Sequence, residues 1–68
     1  MIIMSKAPGF PAAEIVCNTL GEFIDNSHKE WAFMWGEDVS TNDIVRGWEN
    51  CITNGHSWVD GVTFYVIH

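Results

Sequence analysis

Residues 56–68 read His56-Ser57-Trp58-Val59-Asp60-Gly61-Val62-Thr63-Phe64-Tyr65-Val66-Ile67-His68. The pair Asp60-Gly61 stands between two apolar runs, and Asp-Gly in that setting is among the strongest signals for a two-residue turn. The segment therefore predicts a β-hairpin. Its second strand is apolar on both faces, which is typical of a strand inside a sheet or of one covered by another subunit.

The sequence before the hairpin predicts a capped helix. Ser40 stands where its side chain can accept a hydrogen bond from the backbone N–H of Asp43, and Val39 and Ile44 occupy the two positions of a hydrophobic staple. Apolar side chains then recur at helical spacing, at Ile44, Val45, Trp48 and Ile52, with Cys51 beside them. Gly55 is suited to the left-handed conformation that ends many helices.

The N-terminal half predicts a short strand over residues 1–5 and a second amphipathic helix. Two prolines interrupt residues 6–11, and Pro11 suits the first position of a helix. From Ala12 onward the apolar residues follow a helical stripe: Ile15, Val16, Leu20, Phe23 and Ile24. We expect this helix to end within residues 25–28, which are polar.

The aromatic segment at residues 30–35 fits two structures. Alternation places Trp31, Phe33 and Trp35 on one face of a strand, whereas helical spacing places Trp31, Met34 and Trp35 on the stripe of the preceding helix. The aromatic enrichment, together with the polar and glycine residues on either side, favours the strand.

These elements predict a single α+β domain over residues 1–68. Two amphipathic helices would pack on a small antiparallel sheet, which is built from the C-terminal hairpin and the strand at residues 30–35. A chain of 68 residues is long enough for one domain with a modest core.

The net charge limits the partners that the chain can bind. Nine acidic residues against three basic ones give a formal charge of −6 at pH 7. Without a basic patch we expect no direct binding to nucleic acid or to acidic membranes, since both depend on Lys and Arg. A protein with a basic surface would instead be attracted. With no secretory signal and no apolar run of membrane-spanning length, we expect a cytoplasmic protein.

No catalytic or metal-binding pattern is present in the sequence. Cys17 and Cys51 are expected to be buried, reduced thiols, because a disulfide would require an oxidising compartment. The cysteines and the three histidines lack the spacing of zinc ligands. His56, Ser57 and Asp60 are too close in sequence to converge as a triad. We therefore expect no enzyme activity, no cofactor and no metal.

The tryptophans and acidic residues supply the candidate binding surface. We expect Trp48, and at least one of Trp31 and Trp35, to lie in the core, and Trp58 to be exposed. Exposed tryptophan is typical of interface hot spots. The predicted partner-binding residues are Trp58, Asp60, Glu37, Asp38, Trp35 and Glu30.

The resulting functional hypothesis is a non-enzymatic protein-binding module. It would act as an inhibitor that occupies the basic, nucleic-acid-binding surface of a host protein, in the manner of a nucleic-acid mimic. Small acidic proteins are common among phage-encoded anti-defence factors, including anti-CRISPR-like proteins, but this similarity is one of size and charge alone. The alternative hypothesis is a structural or accessory homodimer assembled through the apolar C-terminal strand.

Overall fold

The computed structural model of the chain describes residues 1–36 and 39–67. Its elements, in chain order, are β1 (Ile2–Lys6), β2 (Ala13–Val16), α1 (Leu20–Trp35), α2 (Thr41–Asn54), β3 (His56–Val59) and β4 (Val62–Ile67). The strands form one antiparallel sheet in the order β2-β1-β4-β3. The two helices pack against one face of that sheet, which confirms the predicted α+β class. Within the described ranges, neither helix is long and apolar enough to cross a membrane.

The predicted start of the first helix is wrong, because residues 13–16 form the edge strand β2. Burial alternates along β2, with Ile15 in the core and Val16 exposed, as expected for a strand with one covered face. The helix begins after Thr19, whose Oγ1 accepts a hydrogen bond from the backbone N–H of Glu22 at 3.2 Å. Thr19 and Glu22 have the spacing of a capping box, and that signal marks the true start.

The prediction of a strand at residues 30–35 is also wrong. The segment continues α1, and the polar residues 25–28 lie inside the helix rather than at its end. The residues that α1 buries recur every four positions: Phe23, Ser27, Trp31 and Trp35. This continuous helical stripe places both tryptophans in the core, and it outweighs the local strand preference of aromatic residues. Gly36, at φ 58°, ends the helix by donating its N–H to the carbonyl of Ala32.

The C-terminal half follows the sequence prediction closely. Ser40 Oγ accepts the backbone N–H of Asp43 at 3.2 Å, and Gly55 ends α2 in the left-handed conformation. Asp60 and Gly61 both have positive φ, at 42° and 91°, as a type I′ turn requires. The sheet order places β4 between β1 and β3, so the prediction of a strand inside the sheet is confirmed.

A buried hydrogen-bond chain joins α1 to the N-terminal strands. Trp31 is 2% exposed, and its Nε1 donates to Ser5 Oγ on β1 at 2.8 Å. Ser5 Oγ in turn donates to the carbonyl of Ala13 on β2 at 3.1 Å. A buried indole N–H usually pairs with such an acceptor, and the bond to Ser5 fixes the orientation of Trp31 within the core.

The α2 helix crosses β3 so closely that Gly47 has no room for a side chain. A Cβ at Gly47 would lie 2.5 Å from Val59 Cγ2 and 3.4 Å from Ser57 Oγ. We expect Gly47→Ala to destabilise the fold by about 1 kcal/mol or more, because overpacking a core outweighs the gain of about 1 kcal/mol in helix propensity. Urea unfolding followed by circular dichroism measures this change.

Gly21→Ala is the matched control for that substitution. Gly21 also lies in a helix, but its Cβ would be 3.9 Å from Thr19 Oγ1, which is an ordinary contact. This variant should be more stable than the wild type by up to about 1 kcal/mol. If both glycine variants gained stability, the close approach of α2 to β3 would not be a property of the folded protein.

Candidate protein-binding surface

The exposed Trp58 stands beside a cleft between α2 and the β3–β4 turn. Its side chain is 67% exposed, the largest exposure among the described large hydrophobic residues. The cleft has a volume of about 450 Å³ and is lined by Asp43, Arg46, Gly47, Asn50, Trp58, Val59 and Asp60. We call this surface the Trp58 corner.

The hairpin geometry leaves one backbone edge of β3 free at the Trp58 corner. Val59 and Val62 flank the two-residue turn, and residues that flank such a turn form a hydrogen-bonded pair. Pairs alternate along an antiparallel ladder, so Trp58 and Thr63 form a non-hydrogen-bonded pair. The backbone N–H and C=O of Trp58 therefore point away from β4, and β3 is an edge of the sheet among the described strands. The corner thus offers a large aromatic side chain beside unpaired backbone groups.

The two carboxylates at the Trp58 corner have different surroundings. Asp43 Oδ1 lies 2.6 Å from Arg46 Nη2 in an exposed ion pair. The hydrogen bond from Arg46, helped by one from Ser40, lowers the pKa of Asp43 from its ordinary value. Asp60 is exposed on the turn and forms no ion pair with any described residue. Asp60 is therefore the carboxylate at this corner that is free to meet a cationic group of a partner.

The sequence analysis missed a second aromatic surface. Phe10 and Phe33 are exposed and lie edge-on to one another with their ring centroids 5.2 Å apart, beside the Trp31 ring. A smaller cleft of about 240 Å³ runs past them and past Glu30. The strand prediction had placed Phe33 on the same face as Trp31 and Trp35, so its exposure on α1 was not foreseen.

The sheet also leaves one of its faces uncovered by the helices. Alternation along the strands puts six apolar side chains on that side, which we call the open sheet face: Ile2, Met4, Val16, Trp58, Tyr65 and Ile67. All are exposed except Met4, which is half-buried. The double-sided apolar pattern of β4 thus reflects a core face and an exposed face.

The six predicted partner-binding residues do not come together in one place. Trp58 and Asp60 share the Trp58 corner, whereas Glu30 lies on α1 beside the Phe10 and Phe33 cleft. Trp35 is 2% exposed and belongs to the core, so it is not available to a partner of the folded chain. Glu37 and Asp38 lie outside the described residues.

The two cysteine thiols do not have the surroundings of a reactive cysteine. Cys17 and Cys51 are free and buried, and burial raises the pKa of each thiol. At Cys51 a hydrogen bond with Ser57 lowers the pKa, but this effect is smaller than that of burial. A thiol that stays protonated at neutral pH is a poor nucleophile and a poor metal ligand. Over residues 1–36 and 39–67, no three His, Cys, Asp or Glu side chains are grouped as metal ligands would be.

Comparison of the chain with protein-family models, curated proteins and solved structures finds no match.

Proposed function

We propose that this protein is a non-enzymatic binding module that engages a basic surface of another protein through the Trp58 corner. The observation that carries the proposal is a tryptophan 67% exposed beside a cleft with two carboxylates at its border. Tryptophan supplies rigid apolar contact area, and it is enriched among the few residues that dominate binding energy. An exposed tryptophan lowers the solubility of a small domain, and a role in binding would account for its exposure.

The charge of the chain supports a basic partner. The formal charge is −6, and at the Trp58 corner Asp60 supplies a carboxylate that forms no ion pair with a described residue. Such a surface accelerates association with a positively charged protein, and this acceleration is lost as salt screens the charges. A basic groove that normally binds nucleic acid is the form of partner that fits an inhibitor of this kind.

Affinity capture from the native host tests the proposal with three baits. We expect the wild type and Phe33→Ala to retain the same basic protein, and Trp58→Ala to lose it, because truncating a hot-spot tryptophan costs about 2–4 kcal/mol of binding energy. Phe33 is the matched control, since it is 66% exposed, as against 67% for Trp58, but lies on the other aromatic surface.

Two further measurements with the purified partner decide between versions of the proposal. The association rate should fall as salt increases, and Asp60→Asn should show a weaker salt dependence than the wild type. Competition by nucleic acid for the partner would support the inhibitor version. Capture that is unchanged in Trp58→Ala, or a partner without a basic surface, would refute the proposal.

A further inference from the structure

We infer that the open sheet face is a self-association surface, which a second copy of this chain covers. This inference does not depend on the proposed function, although the Trp58 side chain projects to the same side of the sheet, where Trp58 pairs with Thr63. Its starting observation is the uncovered apolar side of the sheet, defined above by Ile2, Met4, Val16, Trp58, Tyr65 and Ile67.

The strand register makes these side chains one continuous patch. Ile2 on β1 stands between Ile67 on β4 and Val16 on β2, so an apolar row crosses three neighbouring strands. Met4 stands next to Tyr65 in the adjacent row. Directly opposed side chains lie about 5 Å apart, which leaves no room for a polar group between them.

The distribution of charge favours association of two acidic copies through the open sheet face over association through the helices or the β3–β4 turn. The open side of β1 and β2 carries one cation, Lys6, and one carboxylate, Glu14, so its formal charge is zero in a chain of charge −6. The other described acidic residues lie on the helices and the β3–β4 turn: Glu22, Asp25, Glu30, Asp43, Glu49 and Asp60. Two copies therefore approach with the least repulsion when their open sheet faces meet.

The size of the patch sets the strength of the contact. Strands about 4.8 Å apart and about 17 Å long give a four-stranded face with a flat area on the order of 300 Å². The side chains that protrude from this face add to its accessible surface. Burying one such face on each copy removes roughly 1,000 Å² of accessible surface, at the low end for specific interfaces. The dimer is then a two-sheet sandwich around a twofold axis, and an interface of this size is typical of weak association.

Sedimentation velocity of the purified chain, without any partner, tests the inference. Between about 5 and 500 µM, the weight-average mass should rise from 7.7 kDa towards twice that value. Tyr65→Lys, at the centre of the patch, should leave a monomer over this range, and Val16→Lys should weaken the dimer at least tenfold.

The matched control for Val16→Lys is Ile52→Lys on α2. Both side chains are 56% exposed, and each substitution brings the net charge from −6 to −5, so the two variants are matched in exposure and in charge. Ile52→Lys should dimerise as the wild type does, and circular dichroism should show that all variants are folded. A wild type that stays monomeric throughout, or Val16→Lys and Ile52→Lys variants that respond equally, would overturn the inference. Because these measurements contain no partner, neither result decides whether Trp58 captures one.

Discussion

Trp31→Ala is expected to leave the protein largely unfolded at room temperature. The Trp31 side chain is 2% exposed, packs beside Phe10 and Phe33, and donates its N–H to Ser5. Truncating a buried tryptophan costs about 3–5 kcal/mol, and a domain of this size has a total stability not far above that. Urea and thermal unfolding followed by far-ultraviolet circular dichroism would show a lost or strongly shifted transition.

Trp58→Ala is the control for the loss of stability in Trp31→Ala, since it makes the same substitution at an exposed site. Because Trp58 is 67% exposed, its truncation should change the free energy of unfolding by no more than about 0.5 kcal/mol. A Trp31→Ala variant that unfolds within about 1 kcal/mol of the wild type would contradict the packing described here. The contrast also matters for function, since a stable Trp58→Ala variant makes any loss of partner binding attributable to the surface.

The parts of the fold that the sequence predicts correctly are those with local signals. The cap at Ser40, the left-handed Gly55 and the Asp60-Gly61 turn each depend on neighbouring residues, and the structure contains all three. The errors lie at residues 12–19 and 30–35, where an apolar pattern fits both a helix and a strand. At residues 12–19 the outcome depends on long-range pairing of β2 with β1, which no local pattern encodes. At residues 30–35 it depends on the burial of Trp31 and Trp35 along α1.

The candidate binding surfaces were predictable to a smaller extent. The exposure of Trp58 is predicted correctly from its position before the hairpin turn. Phe33 was not identified, because its exposure follows from the helical course of α1 through a segment predicted as a strand. The two-sided apolar pattern of β4 did indicate a second apolar face, but its extent across β1 and β2 depends on the sheet order.

The fold separates its surfaces by chemistry. The helices occupy one side of the sheet and carry most of the described acidic residues, while the opposite side is apolar and formally neutral. The Trp58 corner lies on the β3 edge, where the acidic and aromatic features meet, and Val16 lies on the opposite edge strand. Because the Trp58 side chain projects to the apolar side of the sheet, self-association through the open sheet face and partner binding through Trp58 would use adjoining side chains.

Ser5→Ala and Ser27→Ala are expected to change stability in opposite directions, although both serines are fully buried. Ser5 Oγ accepts the N–H of Trp31, so Ser5→Ala leaves a buried donor unpaired at a cost of about 1–3 kcal/mol. Ser27 Oγ has no hydrogen-bond partner among the described residues.

Ser27→Ala therefore removes a buried polar group that makes no bond, and it also places the best helix former inside α1. We expect a gain of about 1 kcal/mol, measured by urea unfolding of both variants beside the wild type. Equal losses in the two variants would mean that Ser27 is hydrogen-bonded in solution. An unchanged Ser5→Ala would mean that Trp31 finds another acceptor, and the chain from α1 through Ser5 to Ala13 would then not hold the indole in place.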